Sequence, residues 1–135
     1  MVTTGEDLDV RMVVPIDWHN PEQREGKLFN WIRTTGALND DAAMHRSILT
    51  YCSDTMVLDA GLIQHGRSYQ DRGLQVASLD HAIWFHAGFR ADQWLLHSAD
   101  LERNSGGRTL VRGRFYTLEG LQVATVMQQG LMRRR

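Results

Sequence analysis

Between Leu74 and Phe85 the chain sets Ser78, Asp80 and His81 into a run whose bulk comes from Val76, Ala77, Leu79, Ile83, Trp84 and Phe85, with His86 directly after it. An unpaired polar group buried in such a strand costs about 1–3 kcal/mol, so each must find a partner, reach water or belong to a site. The residue types admit three chemistries. A serine nucleophile needs an adjacent base, and no GxSxG elbow is present. Asp80 and His81 resemble an acid–base pair, but neighbours on a strand point to opposite faces. His81 and His86, five apart, also diverge, which argues against a shared metal, and no Cys/His/carboxylate cluster elsewhere supports one. The expected role of Asp80 and His81 is to anchor the sheet through hydrogen bonds.

Two further polar residues lie on apolar faces. On a helical wheel Asp54 borders the apolar side, beside Tyr51 at i−3, Val57 at i+3 and Leu58 at i+4. A carboxylate at that edge is either solvated or turned into a site. Gln128 and Gln129 are adjacent on a candidate strand, so one shares a face with Ala124 and Val126 and the other with Thr125 and Met127. A glutamine on an apolar face needs partners for both ends of its amide.

The elements that must position these residues read as one α+β domain over Val10–Arg133, behind a polar, loose segment at residues 1–9. Val10–Pro15 and Lys27–Thr35 are expected strands. Gly36 and Asn39–Asp41 break the second and supply N-cap candidates. From Ala42 to about Ala60 the residues Met44, Ile48, Tyr51, Cys52 and Leu58 recur at helical spacing, predicting one long helix with an apolar face. Four strands follow, at Leu74–Phe85, Gln93–Leu101, Arg108–Thr117 and Leu121–Met132. Hairpin turns are expected at Ser105-Gly106-Gly107 and at Glu119-Gly120. One helix with five or six mostly antiparallel strands is an α+β pattern.

Bulk properties narrow the function classes. A chain of 135 residues forms one domain, and its charge of −1, from 15 basic and 16 acidic residues, makes no general case for nucleic acid. Arg133–Arg135 read as a solvated tail. One cysteine, Cys52, allows no intrachain disulfide and suits a reducing compartment. No apolar run approaches the ~18–20 residues that span a bilayer. MVTTGEDLD lacks the regions of a signal peptide, so the expectation is a cytoplasmic domain with no membrane span.

Ala77–His86, ASLDHAIWFH, followed by QWLL at Gln93–Leu96, resembles the signature of the acyl-CoA thioesterase II family. VRGRFYTLEG at Val111–Gly120, VATVMQQGLMR at Val123–Arg133, WIRTTG at Trp31–Gly36 and the Ser53–Asp54 pair extend the resemblance over almost the whole chain. It implies a single hotdog fold, a curved antiparallel sheet wrapped around one long central helix. Enzymes of this family typically carry two hotdog domains in one polypeptide, and this chain resembles the second. Pairing is therefore expected, either as a homodimer or with a separate hotdog domain.

The resemblance also implies a site. The aspartate of the Ser-Asp pair belongs to the family's active site, which assigns Asp54 as general base or water-aligning carboxylate. Ser78 stands where the family more often has threonine, keeping the hydroxyl and losing the methyl. Counting back from the Gly-Leu-Met-Arg ending selects Gln128 rather than Gln129. Ser78 and Gln128 would then hold a water for attack on the thioester of a fatty acyl-CoA. Backbone N–H groups near a helix N-terminus are expected to stabilise the carbonyl oxygen. No cofactor, metal or redox group is implied. Trp84, Phe85 and Trp94 are expected in the core or an interface, with Met127 or Met132 as candidates for an acyl tunnel. Arg67, Arg72, Arg103 and Arg108 are each able to bond the phosphates of CoA, or to be ordinary surface arginines. The alternative function is a noncatalytic hotdog subunit, an acyl-CoA-binding module that needs a partner. A hotdog dehydratase or hydratase is more distant, since no Asp/His or Glu/His motif matches one.

Overall fold

The computed structural model describes residues 2–4 and 7–135. Seven strands and two helices follow one another as β1 (Val2–Thr4), β2 (Leu8–Met12), β3 (Lys27–Thr34), α1 (Ala42–Asp54), α2 (Asp59–Ile63), β4 (Leu74–Phe85), β5 (Leu95–Ser105), β6 (Arg108–Thr117) and β7 (Gln122–Arg134). They form a single sheet in the order β1-β2-β3-β5-β6-β7-β4, antiparallel at every pairing. The hairpins β5–β6 and β6–β7 turn at Gly106, Gly107 and Gly120, whose positive φ angles a side chain would resist. Within the polar N-terminal segment, Val2–Thr4 pair with Asp9–Arg11; Met1, Gly5 and Glu6 lie outside the described residues.

One face of the sheet packs on the helices. Leu28, Ala99 and Val111 from the sheet meet Val57, Leu58, Ala60 and Ile63 in one cluster. Leu49 of α1 meets Leu95, Phe115, Val123, Ala124 and Val126 in the other. Alternate residues of β3, β5, β6 and β7 are buried, the period of two that a half-covered sheet requires.

The helix differs from the sequence expectation in two ways. It begins as expected, with the Asp41 carboxylate accepting the Ala43 N–H at 3.0 Å. It ends at Asp54 rather than near Ala60, because the Thr55 N–H turns back to the Cys52 carbonyl and Met56 adopts a left-handed φ of 63°. The break lets Val57 and Leu58 drop into the core before α2 starts. The buried stripe is also rotated. It consists of His45, Leu49, Cys52 and Ser53, while Met44 and Tyr51 of the expected apolar face are exposed. His45 is held on both sides: its Nδ1 accepts the Ala91 N–H at 2.9 Å, so its Nε2–H donates to the Asn39 carbonyl at 2.7 Å. Nearby, Arg90 bonds Asp92, Asp40 and the Leu38 carbonyl, closing the loop that leads into α1.

β4 lies at the end of the sheet and bonds only to β7. Its Leu79, Trp84 and Phe85 are exposed, although Phe85 stacks on Phe89 at 6.3 Å. Trp84 is thus outside the core of this domain, and Trp94 lies beneath the Arg33 guanidinium at 4.4 Å. Among the described residues no helix is long and apolar enough to cross a membrane.

Candidate active site

Three elements converge on a chain of side-chain hydrogen bonds. Asp54 closes α1, Ser78 and His81 come from β4, and Gln128 from the middle of β7. Gln128 is 1% exposed and central. Its Nε2 donates to Asp54 Oδ1 at 2.8 Å and to Ser78 Oγ at 2.7 Å. Ser78 Oγ stands 3.4 Å from the same carboxylate oxygen, a long contact. A carboxylate only accepts, so the amide nitrogen must face Asp54 and Oε1 must face the other way. There it meets His81 Nδ1 at 2.7 Å, which places a proton on that ring nitrogen. The chain ends where His81 Nε2 lies 2.9 Å from Ser53 Oγ, itself 2.7 Å from the Thr50 carbonyl.

A bulge makes the convergence possible. Ser78 and His81 are an odd number of residues apart and would face opposite ways on a regular strand. The β4–β7 register shifts between Ser78 and Asp80, so Ser78 lies opposite Gly130 and His81 opposite Gln128. The extra residue turns His81 onto the face of Ser78 and Gln128. Asp80, opposite Gln129, turns outward, and His86 bonds Thr125 Oγ1 at 2.7 Å on the outer face.

The sequence reading thus singled out Asp54, Ser78 and Gln128, and the fold brings the three together. It did not include His81 or Ser53 in the site. For Ser53 the signal was present in the buried i, i+4, i+7, i+8 stripe that starts at His45. For His81 a regular alternation gave the wrong face. Met127 shares the outer face with Gln129, away from Asp54, whereas Met132 lies on the face of Gln128 but four residues along. The first turn of α1 is roughly 18 Å along the helix axis from Asp54.

The setting is polar and open. Asp54, Ser78 and His81 are exposed, while Gln128 and Ser53 are buried. Behind them Asp59 is 4% exposed, and burial pushes its carboxyl up to about 6 despite the hydrogen bond it accepts from Tyr69. Burial raises the Tyr69 phenol as well, aided by the Asp59 charge. Cys52, two residues before Asp54 on α1, is buried and its thiol is pushed up to about 11, so it is not a thiolate at neutral pH. Among the described residues no three His, Cys, Asp or Glu side chains gather as a metal site would require.

Comparison with known proteins places the chain in a family. The model of the family described as acyl-CoA thioesterase matches residues 10–131. Acyl-coenzyme A thioesterase 8 of Mus musculus is 34% identical over 127 residues, covering 93% of this chain and 39% of its own. The crystal structure of an acyl-CoA thioesterase II, TesB2, from Mycobacterium marinum superposes with a TM-score of 0.82 at 39% identity, over 96% of this chain and 51% of that one. The chain therefore spans from two fifths to about half the length of these relatives. A conserved protein with a hot dog fold from Alicyclobacillus acidocaldarius, 17% identical, superposes with a TM-score of 0.67 over 93% of this chain and 45% of that one, a likeness of fold alone. With its hotdog sheet and a family match running almost from end to end, the chain belongs to the acyl-CoA thioesterase family.

Proposed function

We propose that this domain hydrolyses fatty acyl-CoA thioesters to free fatty acid and CoA by attack of an activated water. The observation that carries the reading is the clamp formed by Gln128 on Asp54 and Ser78. Asp54 is exposed, and its Oδ2 has no hydrogen-bond partner among the described residues. It is the base that takes a proton from water as the water oxygen bonds to the thioester carbonyl carbon. The Ser78 hydroxyl, accepting from Gln128, is left with its own proton to orient that water. Collapse of the tetrahedral adduct then breaks the C–S bond, and the thiolate of CoA leaves with the proton relayed from Asp54.

Gln128 is a positioning residue in this scheme. Both of its N–H groups are used on Asp54 and Ser78, and Oε1 is held by His81. It fixes the base and the hydroxyl in one geometry and keeps its own amide from turning over, because His81 offers a donor only to the oxygen. This refines the sequence expectation, in which Gln128 itself holds the water.

The exposure of Asp54, Ser78 and His81 also favours a second hotdog unit that covers them. The free edge of β4, with Leu79 49% and Trp84 52% exposed, offers it a strand to pair with and an apolar surface. The same openness favours the alternative reading, an acyl-CoA-binding subunit that does no chemistry on its own. A buried, unpaired Cys52 fits a reducing, cytoplasmic setting.

Turnover of short-, medium- and long-chain acyl-CoAs by the parent and by Asp54→Asn tests the proposal, with oligomeric state followed by light scattering. The expected result is hydrolysis that falls at least 100-fold in the variant while acyl-CoA binding persists. A parent that binds acyl-CoA without turning it over sinks the enzyme reading and supports the binding module.

A further inference from the structure

The hydrogen-bond chain of the candidate site returns to the helix it starts from. It leaves Asp54, passes through Gln128 and His81, and reaches Ser53, the residue before Asp54 on α1. Ser53 is 0% exposed, so it touches no substrate, and water does not compete for its hydroxyl. What it does follows from counting protons.

The clamp works in one direction only. Gln128 presents its amide nitrogen to Asp54 and Ser78, which turns Oε1 to His81 Nδ1 and requires a proton on that nitrogen. Turned over, the amide would set Oε1 at 2.8 Å from Asp54 Oδ1, acceptor against acceptor, and would leave Ser78 without its donor. A neutral imidazole carries one ring proton, and its place is set by what the other nitrogen bonds. The amide alone does not select Nδ1, because glutamine accepts through one end and donates through the other. Selection falls to the far side of the ring, where Nε2 lies 2.9 Å from Ser53 Oγ. A hydroxyl proton given to Nε2 fills that lone pair and keeps the ring proton on Nδ1.

The Thr50 carbonyl, 2.7 Å from Ser53 Oγ, is the rival acceptor for the same hydroxyl proton. It lies four residues before Asp54, whose N–H meets it in the α-helical pattern, so it keeps a donor when the hydroxyl turns to His81. The rival also has a use. When His81 carries two ring protons, Nε2–H donates to Ser53 Oγ and the hydroxyl swings to Thr50, while Nδ1–H still faces Gln128. Both proton counts therefore keep the clamp. Only a single proton on Nε2 breaks it, and Ser53 opposes that state by donating to Nε2.

We propose that Ser53 is a positioning residue of the hydrolytic site: its buried hydroxyl holds the proton of His81 on Nδ1 and so fixes which end of the Gln128 amide meets Asp54 and Ser78. The two residues of the Ser-Asp pair thus hold opposite ends of one chain. The part this plays in hydrolysis rests on the thioesterase reading; the direction of the hydrogen bonds does not.

The test uses the full chain, labelled with nitrogen-15, beside Ser53→Ala, His81→Ala and the double variant. At about pH 9, where a histidine is ordinarily neutral, the ring shifts of His81 identify the protonated nitrogen. The expected result is a proton on Nδ1 in the parent, redistributed toward Nε2 in Ser53→Ala. For acyl-CoA hydrolysis, kcat falls about 10-fold in Ser53→Ala at nearly constant KM, the order expected when a partner of a functional group is removed. The double variant falls no further than His81→Ala alone, because Ser53 acts through that ring. A parent with its proton on Nε2 overturns the inference, as does an unchanged tautomer or an unchanged kcat in Ser53→Ala. Losses that multiply in the double variant overturn it too, since a packing defect at Ser53 is independent of His81. Ser53→Cys, of similar volume but only a weak donor, takes the place of an alanine variant that does not fold. If the parent turns nothing over, the thioesterase reading falls and the ring shifts alone decide the role of Ser53.

Discussion

Replacing Gln128 by Leu separates a positioning role from a structural one. The amide is buried and makes three side-chain hydrogen bonds, at 2.8, 2.7 and 2.7 Å. Each is worth about 0.5–1.5 kcal/mol net, with the one to the carboxylate at the upper end. Their loss is largely offset. Asp54, Ser78 and His81 are all exposed and regain water, so no buried group is left unpaired, and Leu adds apolar burial of similar volume. The net change in stability is therefore about 1–2 kcal/mol at most, a shift in Tm of no more than ~5–6 °C for a domain of this size. The effect on chemistry is larger, because base and hydroxyl are no longer held in one geometry. A loss of ~10²–10³ in kcat is expected, or about 2.7–4 kcal/mol of barrier. Steady-state hydrolysis of acyl-CoA beside thermal unfolding by circular dichroism reads both quantities. Gln129→Leu, on the outer face, serves as the control and should keep kcat. A Gln128→Leu variant with kcat within threefold of the parent would refute the reasoning, as would a fall in Tm beyond ~10 °C.

The remaining predictions concern what surrounds the clamp. His81→Ala frees the Gln128 amide to turn over and should lower kcat about 10-fold with little change in KM, whereas His86→Ala should leave both near the parent values. Two buried groups tilt stability with pH in opposite directions. Asp59, raised from 3.8 to about 6, gives a contribution that is full below about pH 4 and lost as pH rises through about 6. His97, buried with no partner for either ring nitrogen and lowered from 6.5 to about 4, gives one that is full above about pH 6.5 and lost as pH falls through about 4. Each is worth roughly 3 kcal/mol, so the two nearly cancel between pH 4 and 6. Denaturant melts should therefore show little slope there in the parent, a rising slope in Asp59→Asn and a falling one in His97→Leu. Gly61→Ala would place a Cβ 2.2 Å from Thr109 Oγ1, so it should cost about 1–3 kcal/mol, seen as a lower urea midpoint at unchanged m.

Much of this architecture was legible in the sequence, and the parts that were not have physical reasons. The bounds of Leu74–Phe85 and Arg108–Thr117 agree with β4 and β6 because glycines or abrupt polarity changes flank them. The start of α1 was legible in the Asp41 cap. Its end was not, since only the left-handed Met56 stops it and no glycine or proline marks the place. The apolar periodicity selected the wrong stripe of α1, because the stripe facing the sheet contains His45 and Ser53, polar residues whose partners are supplied by tertiary structure. The meeting of Asp54, Ser78 and Gln128 was reached through motifs. Spacing alone cannot join residues 54, 78 and 128, which converge only through sheet order. Four arginines were flagged without a basis for choosing among them, since spacing along the chain does not show which of them the fold brings near one another.

The bulge after Ser78 has a consequence for how β4 tolerates change. Up to Ser78 the even-numbered positions look inward; from His81 onward the odd-numbered ones do, as Ile83 opposite Val126 shows. The strand is read in two frames, joined at Leu79. A saturation scan of β4 should therefore show alternating sensitivity whose phase inverts at that residue, with 74, 76 and 78 intolerant before it and 81, 83 and 85 after. Deleting Leu79 would merge the frames into one: Ser78, Asp80 and His81 would alternate regularly opposite Gly130, Gln129 and Gln128, and each side chain of the strand would keep its face.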